Sequence, residues 1–146
     1  MNIQKDFEEL LRLLEENSVR DIIVGGYAVA YHGFPRLTKD IDFFFDFSED
    51  NVKKICNSLV RFGFPESDLK LETFTTKGNI ITFGVEPVRV DFINTISGVE
   101  FQDAWKNRIR GKYGKVSVNF IGRMDLIKNK LATQRPKDKL DVEELS

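Results

Sequence analysis

Asp21-Ile22-Ile23-Val24-Gly25-Gly26-Tyr27-Ala28-Val29-Ala30-Tyr31-His32 is the stretch on which the fold turns. Its first four residues read as a short buried strand, which the glycine pair closes abruptly. The small and apolar side chains from Tyr27 to His32 then recur at helical spacing until Gly33-Phe34-Pro35 ends the helix. Soon after, Asp40 to Phe47 is rich in Ile and Phe and reads as a second strand, with Phe43, Phe44, Phe45 and Phe47 alternating into core on both of its faces.

Working outward, Phe7, Leu10, Leu11 and Leu14 share a helical stripe with Glu8, Glu9, Arg12, Glu15 and Glu16 between them, an amphipathic first helix that Asn17-Ser18 ends. Ser48 followed by Glu49 and Asp50 is a helix N-cap with acids in the first turn. The helix it starts buries Val52, Ile55, Cys56 and Leu59 before Gly63-Phe64-Pro65 breaks the chain. Three β-like stretches follow, Leu69–Thr76, Asn79–Gly84 and Val88–Ile93, with turns at Lys77-Gly78 and Glu86-Pro87. Trp105 lies in a short helical segment around Phe101–Asn107. Lys115–Phe120 turns Val116, Val118 and Phe120 inward as a last strand, and Arg123–Thr133 and Lys137–Leu145 are closing helices separated by Gln134-Arg135-Pro136. The order α-β-α-β-α-β-β-β-α-β-α-α implies an α/β (α+β) fold, a mixed β-sheet flanked by helices, as one domain over residues 1–146.

Composition narrows the function classes. The chain has 146 residues, 41% hydrophobic and 31% charged, which excludes a disordered chain, and no apolar run approaches the roughly 18 residues of a membrane span. Met1 to Asp6 has no apolar core of a signal peptide, and the single Cys56 excludes an internal disulfide framework or a cysteine zinc site. A cytoplasmic protein with no membrane partner is expected. The formal charge of −1 argues against an indiscriminate polyanion binder, but it hides an uneven distribution. Residues 1–73 carry 9 basic and 14 acidic side chains, and residues 74–146 carry 13 and 9. Lys106, Arg108, Arg110, Lys112 and Lys115 form a run without an acid, either a solvated basic hairpin or a local site for a phosphate-rich ligand.

Two local features break ordinary strand and helix rules. Gly25-Gly26 lets backbone amides at a helix start approach an anion. Asp40-Ile41-Asp42 places two carboxylates on one face of a strand, where they repel each other unless a cation lies between them. Hard oxygen ligands on a rigid strand suit Mg²⁺. A third acid, Asp91, stands in the otherwise apolar Val88–Ile93, where an unpaired carboxylate is costly. If that strand neighbours Asp40–Phe47, the three carboxylates converge and can hold two Mg²⁺ ions roughly 3.5–4 Å apart, as in-line phosphoryl or nucleotidyl transfer requires. His32, the only histidine, has no motif partner and reads as structural.

Val24-Gly25-Gly26-Tyr27-Ala28-Val29-Ala30-Tyr31-His32-Gly33, then Arg36-Leu37-Thr38-Lys39-Asp40-Ile41-Asp42-Phe43-Phe44, resembles the signature of the DNA polymerase β-like nucleotidyltransferase superfamily, and within it small Gly-Gly members such as the AbiEii-type toxin nucleotidyltransferases. The segment from Leu126 to Asp141 is similar to their closing segment. The resemblance implies that Gly25 and Gly26 pack against the triphosphate of an NTP. It implies that Asp40, Asp42 and Asp91 are the catalytic, metal-binding carboxylates, with Asp91 taking the acceptor's proton, and that Lys130, Arg135 and Lys137 are candidates for phosphate or acceptor contacts. Read from the residues alone, the basic groups of this segment are equally helix-surface charges, and Asp138 and Asp141 merely favour a helix dipole. Many active relatives carry Gly-Ser where this chain has Gly25-Gly26, so a hydroxyl contact to phosphate is missing here.

Two functions follow as expectations. The first is an enzyme, a Mg²⁺-dependent nucleotidyltransferase (two ions, with Mn²⁺ as a substitute) that moves an NMP from an NTP to a hydroxyl or phosphate acceptor, be it RNA, protein or a small molecule. The second is a non-catalytic nucleotide- or protein-binding member of a toxin–antitoxin pair, with a cognate antitoxin or other partner protein.

Overall fold

A computed structural model describes residues 4–34, 38–85, 89–133 and 135–145, the side chain of Lys137 excepted. The turn expected at Glu86-Pro87, Val88 of the third β-like stretch, and Pro35 of the helix stop lie outside the described residues, as do Arg36 and Leu37.

The amphipathic opening forms helix α1 (Lys5–Glu16), which buries Phe7, Leu10, Leu11, Leu13 and Leu14. Strand β1 (Asp21–Val24) is buried along its whole length and passes directly into helix α2 (Gly25–Tyr31). Strand β2 (Asp40–Phe45) and helix α3 (Glu49–Phe62) follow. Ser48 stands at the N-cap of α3 as expected, but its hydroxyl makes no cap bond there. Instead its backbone N–H donates to the Asp46 carboxylate at 3.0 Å.

The next segment departs from expectation. Leu69–Thr76 is not a strand: a single 3-10 turn at Glu66–Asp68 leads into helix α4 (Leu71–Thr75). Leu71 and Phe74 are three apart, so a helical turn presents both to the core, and Phe74 is 1% exposed. The Thr75 and Thr76 hydroxyls donate to the carbonyls of Leu71 and Glu72, so these β-branched residues are satisfied within the turn. The hairpin strands β3 (Ile80–Phe83) and β4 (Arg89–Ile93) come next, then helix α5 (Phe101–Lys106). The expected order also lacked a strand. Inside the basic run, β5 (Ile109–Tyr113) pairs antiparallel with β6 (Val116–Phe120), before helices α6 (Arg123–Thr133) and α7 (Pro136–Leu145) close the chain.

The six strands form one mixed sheet in the order β3-β4-β2-β1-β6-β5. Strands β1 and β2 are antiparallel, whereas β2 with β4 and β1 with β6 are parallel. Alternation along β2 divides its phenylalanines: Phe43 and Phe45 enter a core built with α1, α3 and α4, and Phe44 enters a second core with α2, α5 and α6. Helices thus cover both faces of the sheet. Among the described residues, no helix is long and apolar enough to cross a membrane.

Candidate active site

The antiparallel register puts Val24 opposite Asp42, so the strand end that delivers Gly25 lies beside the second carboxylate. Gly25 has φ +68°, in the left-handed region. A Cβ there would collide with the Oδ2 of Asp42, so the position needs glycine both for its backbone and for the carboxylate next to it. The β2–β4 register aligns Asp40 with Arg89 and Asp42 with Asp91. With a period of two, all four side chains point to the same face as Phe44, beyond the edge of the second core.

The electrostatics follow from this crowding. Burial, then the neighbouring Asp91 and Asp40 carboxyls, push the Asp42 carboxyl up to about 7, with Lys130 pulling the other way. Asp91 lies within hydrogen-bonding reach of Asp42 and also accepts from the Thr82 hydroxyl at 2.7 Å and from Arg89 Nε at 3.3 Å. Arg89 Nε is 4.0 Å from Asp40 Oδ2, while Asp40 Oδ1 is buried with no hydrogen-bond partner. As they stand the carboxylates do not form a closed shell: among the described residues no three His, Cys, Asp or Glu side chains gather around one metal position. The donor set nevertheless suits a divalent ion, since every nearby ligand is a hard carboxylate oxygen and one is buried and unsatisfied.

The basic candidates are placed differently from one another. Lys130 on α6 is 6% exposed and lies 3.2 Å from Asp138 and 3.4 Å from Asp141, both fully buried on α7. Asp138 and Asp141 are therefore not surface acids beside a helix dipole but the internal partners of a buried lysine. Asp138 also accepts from the Thr133 hydroxyl and from Arg135 Nε at 2.7 Å. Against its burial, these bonds from Thr133, Arg135 and Lys130 hold it below the usual carboxylate range. Arg135 is otherwise exposed. Lys137 lies on α7, and its side chain is outside the described residues.

Sequence reasoning gave no role to Arg89 or Thr82, and to Asp138 and Asp141 only that of favouring a helix dipole. Arg89 was legible, standing two residues before Asp91 on one strand and so on its face. Thr82 needed the β3–β4 register, which pairs it with Asp91. His32 is structural, its Nε2 2.8 Å from the carbonyl of Ile121.

Several members of the basic run are engaged locally. Arg110 pairs with Glu15 at 2.5 Å, the Lys115 backbone N–H donates to Glu8, and Lys112 donates to the Ser117 hydroxyl. The Arg108 guanidinium lies 3.7 Å from the Trp105 ring centre.

Solved structures share this architecture, among them these two. One is a Thermotoga maritima protein proposed to be a nucleotidyltransferase, at 13% identity over 98% of this chain and 94% of that one, with a TM-score of 0.64. The other is the lincosamide antibiotic adenylyltransferase LnuA with lincomycin bound, at 19% identity over 99% and 98% of the two chains, with a TM-score of 0.59. At these identities the likeness is one of fold, the expected polymerase β-like nucleotidyltransferase fold. No curated protein matches the sequence. Residues 1–146 match the family DUF6036, described as nucleotidyltransferase of unknown function, and the chain belongs to that nucleotidyltransferase family.

Proposed function

We propose that this enzyme transfers an NMP from an NTP to a hydroxyl-bearing acceptor, with Asp40, Asp42 and Asp91 holding two Mg²⁺ ions. The observation that carries the reading is the paired register of Asp42 with Asp91 on parallel strands, beside a glycine whose missing side chain makes room for the Asp42 carboxylate. When bound at these carboxylates, divalent ions supply Lewis-acid activation of the acceptor oxygen and neutralise charge on the α-phosphate and on departing pyrophosphate. The backbone at Gly25 and Gly26 binds the triphosphate as it enters α2. Asp91 accepts the acceptor's proton as its oxygen bonds to the α-phosphorus and the bond to pyrophosphate breaks. Lys130 is paired with Asp138 and Asp141 and Arg135 with Asp138, and Lys130 acts on the site from within that cluster by lowering the Asp42 carboxyl. Lys137 is a further candidate for a phosphate contact.

ATP with a small hydroxylated acceptor is the first combination to try, because LnuA acts on a lincosamide antibiotic and has nearly the same length as this chain. The experiment incubates the protein with each α-labelled NTP, Mg²⁺ and, separately, hydroxylated antibiotics, total RNA and a protein mixture. Label transfer by the wild type, lost in Asp91→Asn, is expected. Nucleotide binding without transfer to any acceptor would refute the reading and favour a non-catalytic partner in a toxin–antitoxin pair.

A further inference from the structure

We propose that Arg89 is a tethered counter-ion for the carboxylate face: it holds Asp40 and Asp91 in the metal-free protein, leaves them when a divalent cation binds, and then faces the phosphates of the bound nucleotide. This rests on the metal-dependent reading above and concerns what one residue of this chain does toward that ion.

Geometry carries the argument. Arg89 is the first residue of β4, in register with Asp40 and on the same face as Asp42 and Asp91. Its Nε lies 3.3 Å from Asp91 Oδ1 and 4.0 Å from Asp40 Oδ2, so it sits between two of the three acids, where a cation is called for. It satisfies them incompletely, since Asp40 Oδ1 stays buried without a partner. Among the described residues Arg89 is the guanidinium paired on this face and it reaches two of the three carboxylates. The face is therefore short of cation at hydrogen-bonding range, which is a reason for a doubly charged ion to displace it. The side chain is also free to go. It is 42% exposed, so rotation about its own bonds carries the guanidinium toward solvent without moving the strand. Displaced from Asp91, the guanidinium has the planar fork that matches phosphate oxygens and remains tethered beside the carboxylates. The same geometry explains why the carboxylates do not already form a closed shell: Arg89 and Thr82 both draw Asp91 Oδ1 to themselves.

The test follows the arginine rather than turnover. The full-length protein is treated with phenylglyoxal in EDTA, in Mg²⁺, and in Mg²⁺ with α,β-methylene-ATP, and modification of each arginine is read by mass spectrometry. Arg12, engaged with Glu9 and Glu16 on α1, serves as the internal reference. Labelling of Arg89 is expected to rise several-fold with Mg²⁺ and to fall again with the nucleotide analogue, while Arg12 does not change. In parallel, Mn²⁺ is titrated by electron paramagnetic resonance into the wild type and Arg89→Gln, which is expected to bind roughly fivefold tighter once its competing cation is gone. If Mn²⁺ binds the wild type and Arg89 labelling is indifferent to metal, the exchange is refuted and the metal reading stands. If Mn²⁺ does not bind even with the nucleotide analogue, both fall.

Discussion

Asp42→Asn separates the chemistry of the site from its cost to the fold. Burial and two neighbouring carboxyls raise the Asp42 carboxyl from its unfolded value of 3.8 to about 7. A carboxyl whose folded value is raised binds its proton more tightly in the native state, so it favours the native state at low pH and loses that advantage as pH rises from about 4 to about 7. A shift of about three units corresponds to about 4 kcal/mol at pH 8 as an upper figure. Solvent reaches this face and Asp91 shares part of the effect, so about 1–2 kcal/mol is the realistic size. Asparagine has the shape of the protonated acid and never ionises. In metal-free buffer at pH 8 the variant should therefore melt higher than the wild type, by about 3–8 °C for a chain of this length.

At pH 5, low in that window, the difference should be smaller than at pH 8. The buried Asp21 carboxyl, also pushed up to about 7 by burial and by Glu15, titrates in both proteins and cancels from the comparison. Melting by circular dichroism in EDTA at pH 5, 6, 7 and 8 measures the gap directly. Adding Mg²⁺ should then stabilise the wild type and leave the variant nearly unchanged, while nucleotide transfer is lost. A variant that melts lower at pH 8, or a gap that does not grow between pH 5 and pH 8, would refute the account of Asp42 as an uncompensated buried carboxyl.

Other substitutions test the supports around it. Gly25→Ala places a methyl group against Asp42 Oδ2 at a backbone angle that alanine resists, and should cost about 2–3 kcal/mol in a denaturant titration and abolish transfer. Lys130→Met leaves Asp138 and Asp141 buried without their shared cation and should destabilise by about 3 kcal/mol, whereas the triple change Lys130→Met, Asp138→Asn, Asp141→Asn should recover much of the loss. Full stability in the single variant would show that α7 is not docked through that cluster.

The strand–glycine–helix–strand opening was readable because several local signals agreed. Gly25 stands where a positive φ is needed, the apolar residues of β1 face core on both sides, and Asp40 and Asp42 share one strand face. Asp91 was recoverable for a related reason, as an acid in an apolar strand that needs a partner. Leu69–Thr76 was misread because its few apolar residues fit either period. The choice fell to tertiary packing of Phe74 against Phe45, Phe83 and Phe92, which no local pattern contains. The buried roles of Asp138 and Asp141 were hidden likewise, since an acid near a helix start looks the same whether it faces water or a lysine from the preceding helix.

Charge shows why a composition sum misleads about such a site. The acidic excess of the first half and the basic excess of the second are brought together by the sheet order, which sets β5 at one edge beside α1 and β4 next to β2. Glu15 with Arg110 and Glu8 with the Lys115 backbone close the first seam, where the ion pair is half-exposed and each acid has its partner. Asp40 and Asp91 with Arg89 form the second, and among the described residues the balance is incomplete there: Arg89 pairs with two of the three acids, one oxygen is orphaned and one carboxyl retains its proton to near neutrality. Ion pairs that serve only the fold have no physical reason to stop short of compensation, because a missing cation at a buried acid lowers stability. The deficit is therefore what the proposed reading calls for: hard oxygen donors short of positive charge are suited to a divalent cation.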